Sequence, residues 1–225
     1  MKNRFKEFLR KLLSIYWTKS YSQEGEDLLL KKLLNKTKGR YIDIGAHHPK
    51  RFSNTYFFYK RGWSGVNVDA NPLSIELFNR QRVRDQNIHV GIGLKESELS
   101  FYRFEEGAFN TFEGGRLEEL KTQSKFIGTE MVSVIPLSTL IDKFNISGQF
   151  DFMSVDVEGF DLEVLSSNDW NRLRPTFIVV EENLENLESI ESSQIWQFLN
   201  GHDYQLFSKL HRSSIYKDKR SSSVS

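Results

Sequence analysis

The chain has no cysteine among its 225 residues. That excludes disulfides, thiolate metal sites and a cysteine nucleophile together, and it fits a reducing compartment, so a cytoplasmic location is expected. Its longest wholly apolar runs are about four residues, such as Phe177 to Val180, far short of the roughly 20 that a membrane-spanning helix needs. Excess charge of one sign is missing too: the formal net charge is +1, and no nucleic-acid footprint is visible. With only 4 prolines and no repeat or low-complexity linker, the length reads as one domain with appendages. Aromatic residues are plentiful, 18 Phe, 8 Tyr and 4 Trp, enough to build an ordinary globular core.

The N-terminal stretch MKNRFKEFLRKLLSIYW spaces Phe5, Phe8, Leu9, Leu12, Leu13 and Tyr16 on one helical face, opposite Lys2, Arg4, Lys6, Arg10 and Lys11. It lacks the apolar stretch and small-residue cleavage site of a secretion signal. The expected organisation is a basic amphipathic helix over 1–20, a folded domain over 21–217 and a flexible tail over 218–225. The helix docks on the domain or on a second subunit, which leaves an oligomer open, or lies on an anionic membrane surface.

From Ser22, which begins a capping pattern, the chain alternates. A helix precedes a strand at 40–45; then come a helix near 53–61, a strand at 65–70, a helix opened by Pro72 and a strand at 87–93. An irregular or hairpin-like insert follows. Beyond it lie the strand FDFMSVDVEG, a helix from about 160, the strand PTFIVVEE, a helix at 189–199 and two terminal strands that form an antiparallel hairpin. This alternation implies an α/β fold, a mostly parallel sheet with helices on both faces.

In such sheets ligands sit beyond the carboxyl ends of the strands, and the chemistry-bearing residues fall there. Asp43 to His48 end the first strand, Asp69, Ala70 and Asn71 the second, Asp156 to Gly159 the fourth, and Glu181 and Glu182 the fifth. Asp69 lies where a carboxylate accepts from both hydroxyls of a ribose, and equally where one caps the helix begun by Pro72. The loop after the first strand has one glycine, Gly45, followed by Ala46, His47, His48 and Pro49, which leaves little room for a pyrophosphate. A nucleoside whose other end is an amino acid suits such a loop, and S-adenosylmethionine is one. Gly91 and Gly93 flank Ile92, which in that case borders the adenine.

Four pieces, SQEGEDLLL, YIDIGAHHPKRFSNTYFFYKRGWSGVNVDANP, NTF at Asn110 to Phe112, and FDFMSVDVEGFDLEVLSSNDW, together resemble the FkbM-type family of S-adenosylmethionine-dependent methyltransferases. The resemblance runs in order over roughly residues 20–182. It implies a Rossmann-like class I methyltransferase fold with a seven-stranded sheet, a donor bound across the ends of strands one to three, and an oxygen acceptor, often a sugar hydroxyl. Carried over by position, Asp43 and Gly45 fall in the donor-binding first motif, Asp69 in the ribose-binding position, and Asp156, Glu158 and Gly159 in the DVEG motif. Ser22, Gln23, Glu26 and Asp27 fall in a stretch expected to fold over the donor.

Methyl transfer to an alcohol needs alignment and a base. His47, His48, Asp156 and Glu158 are the candidates, at the ends of the first and fourth strands. A divalent metal is not expected, though Asp156, Glu181 and Glu182 are its candidate ligands. FNTFEGG in the insert is a candidate flap, and TYFFYKRGWSG is expected as a buried helix on the sheet. The expected acceptor is a sugar-bearing or other small molecule, not nucleic acid. Two alternatives remain: an oxidoreductase using NAD or a nucleotide sugar on a similar sheet, and a non-catalytic binding module.

Overall fold

A computed structural model of the protein describes residues 18–184 and 186–221, so most of the basic helix expected over 1–20 lies outside the described residues. Helix α1 (Glu26–Leu34) feeds strand β1 (Arg40–Ile44), followed by α2 (Tyr56–Tyr59), β2 (Ser64–Asp69), α3 (Pro72–Gln81) and β3 (Gln86–His89). The insert contains β4 (Gly91–Ile92), β5 (Ser97–Phe104), α4 (Leu117–Lys121), β6 (Phe126–Ile135) and α5 (Leu137–Lys143). The second half runs β7 (Phe152–Val155), α6 (Asp161–Ser166), β8 (Phe177–Glu181), α7 (Gln194–Gly201), β9 (Tyr204–Lys209) and β10 (Ser213–Asp218).

Seven strands form one sheet in the order β3-β2-β1-β7-β8-β10-β9, parallel except for β10, which runs antiparallel to both its neighbours. Strand order reverses between β1 and β7, which opens a crevice at their carboxyl ends. Alternation along each strand builds two cores. Ile42, Ile44, Val66, Val68, Met153 and Val180 pack on one face with Leu137, Leu140, Val164 and Leu199. Tyr41, Phe152, Phe177 and Val179 pack on the other with Leu30, Phe57, Phe58 and Trp63. The aromatic stretch around α2 is therefore core, as its spacing implied, and each such side chain contributes roughly 1.5–3 kcal/mol by leaving water.

The structure differs from the sequence reading at four boundaries. The strand expected over 87–93 breaks at Val90: β3 stays in the main sheet, while β4 pairs with β6 in a separate three-stranded sheet with β5. A Cβ at Gly91 would lie 2.9 Å from both Phe112 and Val134, and one at Gly93 2.9 Å from Val134, so close packing of the insert requires both glycines. The cap of α1 is Gly25, with φ 94°, while the Ser22 hydroxyl accepts from the amides of Gly25 and Asp27. The helix expected over 189–199 divides into a 3-10 turn (Leu187–Ser192) and α7, because the Ser193 hydroxyl caps the latter by accepting from Trp196 N. Finally, β10 continues through Asp218, which is buried against Arg174 at 2.6 Å, so the expected tail begins as strand.

Candidate functional site

The carboxyl ends of β1, β2, β7 and β8 open into one cleft of about 1210 Å3, its open mouth included. Ile44 pairs with Val68 on one side and Val155 on the other, which brings the residues after each strand together. Gly45, with φ 77°, runs so close to β7 that a Cβ there would lie 1.8 Å from Asp156 O. Only glycine fits this junction.

Asp69 is nearly buried and both its carboxylate oxygens are engaged: Oδ2 accepts from His47 N at 2.6 Å and Oδ1 from Asn71 N at 2.7 Å. The cap of α3 is Asn71, whose side chain accepts from Leu73 N. Asp69 instead ties the β1 loop to the end of β2 and holds His47 at φ 54°. Burial raises its pKa to about 6 against the pull of those two amides. Asp43 lines the same cleft, 4% exposed, and its Oδ2 accepts from Thr55 Oγ1 at 2.8 Å. Burial likewise raises it to about 6, opposed by the Thr55 bond and the Arg82 charge. Ala70 and Ile92 add apolar lining beside Asp69.

On the opposite wall, Asp156, Glu158 and Glu181 each offer an oxygen within 4.8 Å of the others. Asp156 opens onto the cleft, and desolvation by the surrounding walls together with the neighbouring Glu181, Glu158 and Asp161 charges pushes it well above the usual carboxylate range. Glu158 is raised to about 7, by burial first and Glu181 second. Its backbone is left-handed, φ 52°, in a turn pinned by Asp161, whose carboxylate accepts from Val157 N and Gly159 N, both at 3.3 Å. Glu182 does not line the cleft. Consecutive strand residues project to opposite faces, and its buried carboxylate accepts from the hydroxyls of Ser193, Ser214 and Tyr216. The acidic trio that a cation would meet is thus Asp156, Glu158 and Glu181.

The insert closes the cleft from one side. Thr111 pairs with Tyr102 across the hairpin, Phe112 stacks near Phe101 with centroids 4.9 Å apart, and Phe160 meets Phe112 edge-on at 6.2 Å. From the other side, the segment before α1 straps the β1 loop to the β9–β10 turn: Ser53 N donates to Tyr21 O, and Arg212 N to the Glu24 carboxylate. Within the strap Gln23 lines the cleft, whereas Ser22 and Glu26 do not. Ser22 bonds Asp27, and Glu26 accepts from Ser213 Oγ and Glu24 N. His47 lines the cleft, and burial followed by the His48 and Arg51 charges lowers its pKa. His48 does not reach the cleft; its Nδ1 accepts from Lys50 N and Arg51 N, both at 3.0 Å, and shapes the turn.

Sequence reasoning did not single out Phe52, Asn54, Ser154, Phe160 or Arg212 as lining. Asn54 donates to Ser154 Oγ at 3.0 Å across the β1–β7 crevice. The sequence signal for both was their membership in the two longest resembling stretches.

Fold and site together define a class I S-adenosylmethionine-dependent methyltransferase. Within that class, the family model described as the methyltransferase FkbM domain matches residues 43–206, and the chain belongs to that family. No curated protein sequence matches it at a significant level. Among solved structures it is similar to a TehB-like SAM-dependent methyltransferase from Corynebacterium glutamicum, with 10% identity, 96% of this chain and 97% of that one covered, and a TM-score of 0.46. It is also similar to precorrin-6y C5,15-methyltransferase from Geobacter metallireducens (13% identity, 85% and 84% covered, TM-score 0.41). A third is 1,6-didemethyltoxoflavin-N1-methyltransferase from Burkholderia thailandensis, crystallised with S-adenosylhomocysteine (9% identity, 86% and 75% covered, TM-score 0.44).

Proposed function

We propose that the protein transfers a methyl group from S-adenosylmethionine to a sugar hydroxyl of a glycan, glycolipid or related metabolite. What supports the choice of an oxygen acceptor is Glu158, a carboxylate that burial and the Glu181 charge raise to about 7 and that lines the same cleft as the Phe112 and Phe160 rings. A base matched to neutral pH is what an alcohol acceptor requires. Either ring can offer its apolar face to the C–H side of a sugar, and Asp156 and Glu181 accept from its other hydroxyls.

The cleft residues suit the donor. Asp69 engages one lone pair of each oxygen and keeps others for ribose hydroxyls, Asp43 accepts at the far end of β1, and Ala70 with Ile92 provides an apolar border for adenine. Bound there, S-adenosylmethionine supplies a methyl carbon already activated by its sulfonium sulfur. The chain aligns the acceptor, excludes water through the insert and strap, and takes the acceptor proton on a Glu158 oxygen.

Nucleic acid is disfavoured as acceptor, because the net charge is only +1 and the acceptor side of the cleft gathers Asp156, Glu158 and Glu181 in place of a basic patch. A lipid-linked acceptor would give the basic segment before residue 18 a role at an anionic membrane surface. No helix among the described residues is long and apolar enough to cross a membrane. Co-sedimentation with anionic and with neutral vesicles checks that role; equal recovery with both removes it.

Mass spectrometry of glycans from cells with and without the protein tests the acceptor class. Loss of one methyl group from a sugar residue in its absence supports the proposal. An unchanged glycan profile together with a methyl group lost from a non-sugar metabolite overturns it.

A further inference from the structure

Asp43 is held from behind by a polar chain that ends in a fully buried arginine. Arg82 is 0% exposed, and its guanidinium donates to Pro49 O, Tyr41 Oη, Ser53 Oγ and Thr55 Oγ1 at 2.8 to 3.1 Å. Asp85, 3.6 Å away, balances the charge, and its own oxygens accept from Tyr41 Oη, Gly65 N and Asn67 Nδ2. A buried ion pair alone contributes little net stability, so its placement beside two hydroxyls calls for an explanation.

The explanation lies in proton direction. A guanidinium only donates, so both hydroxyl oxygens accept from Arg82. Ser53 Oγ also accepts from Tyr56 N at 3.1 Å, which fills its second lone pair and leaves it one proton to give. That proton goes to Thr55 Oγ1, 3.2 Å away, whose lone pairs are then both used. Thr55 has one proton left, and Asp43 Oδ2 is its acceptor at 2.8 Å. Thr55 occupies the cap position of α2 yet makes no capping bond with its side chain, so helix capping does not account for the hydroxyl.

We propose that Arg82 is a positioning residue for the donor site: through Ser53 and Thr55 it aims a fixed proton at Asp43, holding that carboxylate as an oriented, ionised acceptor for the methyl donor. This inference rests on the assignment of Asp43 to the donor site. The other groups facing Asp43 are Asp69 on β2, Ser154 on β7 and Asp156 beyond it; the Asp69 charge opposes its ionisation, while the Asp43 charge in turn raises Asp156. Arg82, Thr55 and Ser154 work against Asp69 and against burial.

The test is calorimetric titration of the full chain with S-adenosylhomocysteine across pH 5 to 8, for wild type, Thr55→Val, Thr55→Ser and Arg82→Lys. In Thr55→Val, the pH below which binding weakens is expected to rise by about one unit, so that affinity falls about twofold at pH 7 and about tenfold at pH 5. Thr55→Ser, which keeps the hydroxyl, is expected to restore both. Loss of the fold alone would not reproduce the shift in pH profile or its rescue. Should Thr55→Val fail to fold, Arg82→Lys carries the test: lysine is a compact point charge that cannot fork across both hydroxyls, and the same upward shift is expected. Wild-type affinity and pH profile in the variant that folds overturn the inference while leaving donor binding intact. A wild type that binds no S-adenosylhomocysteine overturns the donor assignment itself.

Discussion

Glu158 and His47 both sit in left-handed backbone at strand ends, φ 52° and 54°, and a local carboxylate pins each of them. Such strain costs of order 1–3 kcal/mol per residue and persists where the surroundings over-determine it, which here means facing the cleft. The pKa of about 7 at Glu158 gives the activity a defined pH dependence. As a base it works once deprotonated, so kcat is expected to rise with pH through about 7. Glu158→Gln is expected to lower kcat by about 100-fold or more and to flatten that limb. A Gln variant that keeps the limb assigns the base elsewhere, to Asp156 within 4.8 Å of Glu158 or to His47 on the β1 loop. At Gly45, the collision with Asp156 O leaves no room for a methyl group. Gly45→Ala is expected to lose at least about 2 kcal/mol in denaturant unfolding, and an unchanged midpoint would show that the two loops can separate.

The elements of the main sheet could be read from the sequence because their signals are local. β1, β2, β7 and β8 are short strands rich in buried apolar residues, Pro72 opens α3, and an acidic residue ends or directly follows β2, β7 and β8. The insert was less legible. β5 and β6 pair with each other over a long antiparallel ladder, and that register depends on contacts far apart in sequence rather than on any short motif. The same limit applies to Glu182 and His48. Composition and position put both at strand ends, but the strand pleat and the local Lys50 and Arg51 amides turn them away from the cleft. Glu158 took the place of Glu182 in the acidic trio because its turn reverses direction under Asp161. The insert also carries a prediction of its own. Phe112 meets Phe101 and Phe160 and lines the cleft, so Phe112→Ala is expected to raise the acceptor KM several-fold. Steady-state kinetics with the donor saturating checks this, and an unchanged acceptor KM would remove the aromatic wall from acceptor binding.

For the molecule as a whole, Asp43, Asp69 and Asp161 share one consequence of burial: each has a folded-state pKa of about 6. The unfolded chain releases those protons near pH 4, so between about pH 4 and 6 the folded state binds more protons than the unfolded one. Their contribution to stability is therefore present below pH 4 and is lost as pH rises through 6. Asp69→Asn removes one such group, and its melting temperature relative to wild type is expected to be higher at pH 7.5 than at pH 5. An equal difference at both pH values would show that Asp69 titrates normally. The destabilisation that Asp43 and Asp69 impose at neutral pH makes sense if a ligand uses them, and titration calorimetry asks that directly. S-adenosylhomocysteine is expected to bind with micromolar affinity, Asp69→Ala to abolish that binding in a protein that still folds, and NAD to give no heat. No binding of S-adenosylhomocysteine by the folded wild type, or binding of NAD in its place, would contradict the assignment of this cleft to a methyl donor.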